Sequence, residues 1–72
     1  MIFAHLDNSS PRKILGYEVG TRAVYDVRHG TDPNWSFIDS DVMNHRVDLP
    51  TFLKDPTKFI LDDTNTPVKV SG

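Results

Sequence analysis

The stretch that decides the fold is Ile14-Leu15-Gly16-Tyr17-Glu18-Val19-Gly20-Thr21-Arg22-Ala23-Val24-Tyr25-Asp26-Val27-Arg28. Leu15, Tyr17, Val19, Ala23, Tyr25 and Val27 all fall on odd positions around a break at Gly20. A period of two sends alternate side chains to one face of a pleated strand, so the stretch reads as a β-hairpin. A two-residue turn at Gly20-Thr21 would set Ala23, Tyr25 and Val27 on the face opposite Leu15, Tyr17 and Val19. A three-residue loop, Gly20-Thr21-Arg22, pairs Val19 with Ala23, Tyr17 with Tyr25 and Leu15 with Val27, and gathers all six on one face. Holding Arg22 left-handed costs roughly 1–2 kcal/mol, whereas burying a Val-sized side chain returns about 1.5–3 kcal/mol. The pattern therefore predicts the three-residue loop or a compensating bulge, with Tyr17 and Tyr25 side by side.

The rest of the chain agrees with strands and turns. Of 72 residues, 7 are Val, 4 Ile and 6 Thr, whereas Ala, Glu and Gln number 2, 1 and 0. Branching at Cβ restricts χ1 in a helix but packs well on a sheet. Nine of the ten acidic residues are Asp, which bonds its own nearby backbone and belongs in turns and caps. Residues 1–6 read as a first strand running into the turn cluster Asp7-Asn8-Ser9-Ser10-Pro11, with a second strand from about Ile14. A second turn over residues 29–34 delivers the chain to Trp35-Ser36-Phe37-Ile38. Val47 and Leu49 suit a short strand or the approach to a helix, since Asp48 can cap residues 49–54 with Pro50 in the first turn. Asp55-Pro56 is a similar start signal for residues 57–61, and Pro56 forbids one unbroken helix across it. Residues 62–67 form a polar turn, and Val68-Lys69-Val70 an edge strand before a frayed tail. The expected architecture is a single domain over residues 1–72, α+β and mostly β. Its small antiparallel sheet of four or five strands is built around the 14–28 hairpin and covered by one short helix from residues 49–61.

A formal net charge of −2 with a pI near 5.8, and eight basic residues scattered along the chain, makes a poor footprint for nucleic acid. With no Cys there is neither a disulfide framework nor a thiolate metal site, and a reducing cytoplasm fits best. No positive residue precedes Arg12, and the apolar run at residues 1–4 is short, so neither a signal peptide nor a membrane span is expected. The sequons at Asn8-Ser9-Ser10 and Asn34-Trp35-Ser36 would matter only after secretion.

Chemistry-bearing patterns are sparse. His5, His29 and His45 have no metal-ligand spacing. Asp39-Ser40-Asp41 opens like a calcium loop, but Met43 and Asn44 stand where a ligand and the turn glycine belong, so a solvated acidic turn is the plainer reading. Asp62-Asp63 reads the same way. Ser9, Ser10, Ser36, Ser40 and Ser71 lie in no nucleophile elbow, and Glu18 is the only carboxyl on an expected strand. No catalytic set, cofactor or metal is expected.

What the pattern leaves is surface recognition. Trp35 follows a Pro-fixed turn, with Asp32 before it and Asp39 and Asp41 after it. These four residues form a candidate partner-binding segment, an aromatic anchor rimmed by charge. The alternative is that Trp35, followed directly by Phe37 and Ile38, is a centrepiece of the core. In size, lack of Cys and compactness the chain resembles the small cytoplasmic proteins with which lytic bacteriophages bind and redirect host machinery, above all host RNA polymerase. The resemblance implies a stoichiometric protein-binding regulator in the host cytoplasm that competes with an initiation factor or alters its attachment, and it implies no particular residue. A small-barrel nucleic-acid-binding module, with Tyr17, Tyr25, Phe37 or Trp35 stacking on bases, is the second reading. A subunit of a larger assembly, pairing through edge strands at residues 1–6 and 68–70, is the third.

Overall fold

The computed structural model describes residues 1–7 and 11–70. Most of the turn expected at residues 7–11, the sequon at residues 8–10, Ser9, Ser10, Ser71 and the frayed end lie outside the described residues.

Five antiparallel strands, β1 (Ile2–Leu6), β2 (Arg12–Val19), β3 (Trp35–Ile38), β4 (Phe59–Leu61) and β5 (Pro67–Lys69), form one sheet in the order β3-β1-β2-β4-β5. Three short helices accompany them: α1 (Arg22–His29), α2 (Ser40–His45) and α3 (Leu49–Lys54), with a single 3-10 turn at Pro56–Lys58. The class is α+β with a small antiparallel sheet, as the composition implies.

The 14–28 hairpin does not form. β2 ends at Val19, Thr21 caps a helix through its Oγ1, which accepts the Val24 amide at 3.3 Å, and Arg22 pairs with Asp26 one turn on. β4 reaches only Arg12 and Lys13 of β2, and along residues 14–19 it is β1 that pairs, in place of residues 22–28. They turn over the sheet instead, which buries Tyr25 and leaves Val27 87% exposed. Tyr17 and Tyr25 consequently lie on opposite faces. Tyr17 is opposite Ala4 and packs against Phe52 of α3, whereas Tyr25 sits edge-on to Phe3.

Alternation along β1 creates two cores. Ile2, Ala4 and Leu6 join Ile14, Ile38, Phe59 and Leu61 under Met43 of α2 and Phe52 of α3. The intervening Phe3 points to the other face, where α1 covers it. A register shift between His5 and Leu6 brings Ile14 opposite Leu6 and keeps both buried.

The C-terminal half follows its local signals with two exceptions. Asp48 is the N-cap residue of α3, with Pro50 in the first turn, and Asp55 caps the 3-10 turn through the Thr57 amide. Beyond that turn, however, Phe59–Leu61 is a strand rather than helix. The acidic turn at Asp39-Ser40-Asp41 is the start of α2, with Asp39 accepting the Asp41 amide. Asp39 thus caps a helix that was not expected, whereas Asp48 stands at the N-cap of the expected one with its carboxylate accepting the Thr51 hydroxyl rather than a backbone amide.

The sheet curls until its two ends meet. In the turn between β4 and β5, Asn65 adopts φ 61°, accepts the Ser36 hydroxyl on its Oδ1 and donates from Nδ2 to the Phe37 carbonyl at 2.9 Å. Asp62 braces that turn by accepting the Thr64 and Thr66 amides.

Candidate functional site

Face by face, the sheet determines which side chains meet. On the α1 side, β1 offers Phe3 and His5, β3 offers Trp35 and Phe37, and β2 offers Glu18. Helical spacing from α1 sets Tyr25 and His29, four apart, above them. His29 stacks on Trp35 at 3.8 Å between centroids and 10° between planes, and His5 stacks on the same indole at 4.7 Å and 14°. Phe3, Tyr25 and Phe37 pack together beside that stack, and the Arg22 guanidinium lies 4.8 Å from the Phe37 ring.

One carboxylate completes the cluster. Glu18 Oε1 lies 2.7 Å from His29 Nε2, and its second oxygen lies 3.3 Å from Arg28 Nη2. An ionised carboxylate only accepts, so Nε2 carries the proton in this contact. That hydrogen bond is the main reason the Glu18 carboxyl titrates below its ordinary range, with the charge of Arg28 adding to it. Burial pushes the Tyr25 hydroxyl up, and the nearby Asp26 and Asp32 carboxylates add to the rise. The same hydroxyl donates to the Trp35 carbonyl at 3.0 Å. Among the described residues, no group of three His, Cys, Asp or Glu is placed to hold a metal ion.

The predicted binding residues do not form one patch. Trp35 is half-buried, its indole stacked with the rings of His29 and His5. Asp32 is spent locally, its carboxylate accepting the Asn34 amide and its carbonyl the Trp35 amide. Asp39 and Asp41 lie beyond the far end of β3, about 13 Å of strand away, on a helix that packs on the opposite face of the sheet. Turn chemistry and the strand length separate what sequence proximity put together.

The two edges of the sheet are guarded against strand addition in different ways. The Leu6 amide donates to the Asn34 carbonyl, so alternation turns the backbone of Trp35 and Phe37 outward. Those groups are taken by Asp32, by the Tyr25 hydroxyl and by Asn65. At the other edge, bonds from Val70 to Lys58 and from Asp62 to Thr66 turn Pro67 and Lys69 outward. Proline has no amide to offer there, and lysine beside it discourages pairing. Residues 1–6, one of the two expected edge strands, are internal to the sheet.

The rings expected to stack on bases are also engaged. Tyr25 is buried, Trp35 carries two imidazoles, Phe37 lies near Arg22, and Tyr17 packs on Phe52 while its hydroxyl donates to the Leu53 carbonyl.

Surface concavities escaped the sequence reading, because residues far apart in the chain build them, and two of them bear on function. An apolar groove of about 240 Å³ runs between the Met1 and Val19 ends of β1 and β2 and the helices α2 and α3, with Met43, Leu49 and Leu53 along it. A polar cleft of about 450 Å³ is lined by Thr51, Lys54, Asp55, Lys58 and Lys69. Cations that look scattered in sequence thus converge in space.

No family model, curated protein or solved structure matches the chain.

Proposed function

We propose that this protein is a small non-enzymatic regulator that acts by docking on a larger protein assembly in the cytoplasm. The observation that carries the reading is the apolar groove between the β1–β2 end and α2–α3. Met1, Val19 and Leu53 are 46%, 69% and 43% exposed along it, although a chain of 72 residues has few apolar side chains to spare from its core. Contiguous exposed apolar surface with a polar rim, here Ser40 and Asn44, is the usual mark of a protein contact. The filled β3 edge and the Pro67-Lys69 edge favour side-chain surfaces over strand addition as the means of attachment. Among the described residues, no helix is long and apolar enough to cross a membrane. Host RNA polymerase, implied by the resemblance to phage-encoded regulators, is the assembly to try first.

The test is direct binding of the intact chain to purified bacterial RNA polymerase, for wild type and for the Val19→Asp, Leu53→Asp double variant. Both side chains are already exposed, so the variant should keep its circular dichroism spectrum. Saturable one-to-one binding that the variant loses supports the reading. Equal binding by both proteins removes the groove as the contact, and no binding by either removes the polymerase.

A further inference from the structure

Three lysines from three different elements meet in the second concavity: Lys54 in the last turn of α3, Lys58 at the end of the 3-10 turn and Lys69 on β5. A lysine in the last turn of a helix offsets the helix dipole, which explains Lys54 on its own. It does not explain why β5 brings Lys69 to the same cleft. Like charges gathered in a concavity repel one another, so the arrangement is unfavourable until an anion enters. Among the described residues none of the three lysines is in an ion pair, while Arg22 and Arg28, elsewhere, both are. The one carboxylate in the lining, Asp55, accepts the Thr57 amide and hydroxyl and feels the charge of Lys58, so it offsets one of the three positive charges and leaves an excess of two.

The lining also narrows the class of ligand. It contains no aromatic or large apolar side chain to grip a base or an apolar peptide residue. Its volume of about 450 Å³ lies in the range of small-molecule sites and exceeds what a single phosphate group fills. Lysine presents a compact, strongly hydrated point charge with three donors, suited to phosphate oxygens approached from several directions. We propose that the Lys54–Lys58–Lys69 cleft binds a compound bearing several linked phosphate groups, recognised by its charge rather than by a base.

The probe is inorganic tripolyphosphate, titrated into the intact isotope-labelled chain and followed by amide NMR shifts, with sulfate and chloride at equal ionic strength as references. Saturable shifts centred on Lys54, Lys58 and Lys69 are expected with tripolyphosphate alone. Lys58→Gln and Lys69→Gln should each weaken binding about tenfold or more, as loss of a charged hydrogen-bond donor does. Arg46→Gln, at an exposed cation outside the lining, should leave it unchanged. A thymidine oligonucleotide at the same phosphate concentration separates the sources. Tighter binding than tripolyphosphate assigns the cleft to a nucleic-acid backbone, and weaker binding assigns it to free oligophosphates. Shifts that sulfate or chloride reproduce, or affinity unchanged in both lysine variants, overturn the proposal.

Discussion

His29 on α1 and Glu18 on β2 are joined by a 2.7 Å hydrogen bond that ties the helix to the sheet it covers. The bond lies beside the stack of His29 on Trp35, so one imidazole serves both a polar and an aromatic contact.

Acid should loosen this attachment. The Glu18 carboxyl titrates below its ordinary value of 4.5, and Asp55 and Asp62, braced by Thr57 and by the Thr66 and Thr64 amides, titrate below 3.8. A carboxyl with a depressed folded-state pKa binds fewer protons folded than unfolded, so its contribution is complete above the ordinary value and is lost as pH falls through the folded one. Urea unfolding midpoints should therefore hold down to about pH 5 and fall as pH passes through about 4, where ordinary carboxyls are about half protonated. In Glu18→Gln the drop should be shallower, with Asp55 and Asp62 supplying what remains. An unchanged slope in that variant would show that the His29 contact does not set the Glu18 titration.

Thr21 should behave as a helix cap. Thr21→Ala is expected to cost about 1 kcal/mol, while Thr21→Ser should be nearly silent and Thr21→Gly should cost a few tenths. Denaturant titrations of the three variants check the order. Equal stability in all of them would argue against a helix starting at this residue.

Asn65 should matter twice, through its side chain and through its backbone. Asn65→Gly keeps the φ of 61° accessible but removes the bonds to Ser36 and Phe37, at a cost of about 1–3 kcal/mol. Asn65→Ala should be worse by about 1 kcal/mol more, because a Cβ resists the left-handed region. Chemical denaturation ranks the pair, and faster amide exchange at the β3 edge should accompany both.

Trp35→Ala should destabilise rather than act only on binding. It removes the indole on which the His5 and His29 imidazoles stack, and its half-buried surface, worth about 2–3 kcal/mol, somewhat below the range for a fully buried Trp. Thermal melts should show the loss, together with an upfield-shifted His29 ring signal returning toward its free position. A fully stable variant would return Trp35 to the role of a surface anchor.

The chain by itself determined the class of the fold and most of its punctuation. Asp55 and Asp62 cap through bonds to amides two to four residues away, Asp48 and Pro50 open α3, and such signals are local enough to read without a structure. The first strand was visible at residues 1–6, and the edge strand expected at 68–70 falls one residue earlier, at 67–69, because Pro67 joins the ladder rather than the turn. Tertiary structure alone decided residues 22–29. Their odd-numbered Ala23, Tyr25 and Val27 satisfy a strand, and their Arg22, Tyr25 and His29 satisfy a helix face equally well. The choice fell to long-range pairing, because β1 pairs along residues 14–19 of β2 and the Phe3–Phe37 face is covered by the helix. The same physics explains the candidate sites. Asp32, Trp35, Asp39 and Asp41 are neighbours in sequence but are parted by the length and faces of a strand, whereas Lys54, Lys58 and Lys69 share a cleft because the chain leaving β5 bonds back to Lys58 in the turn that follows α3.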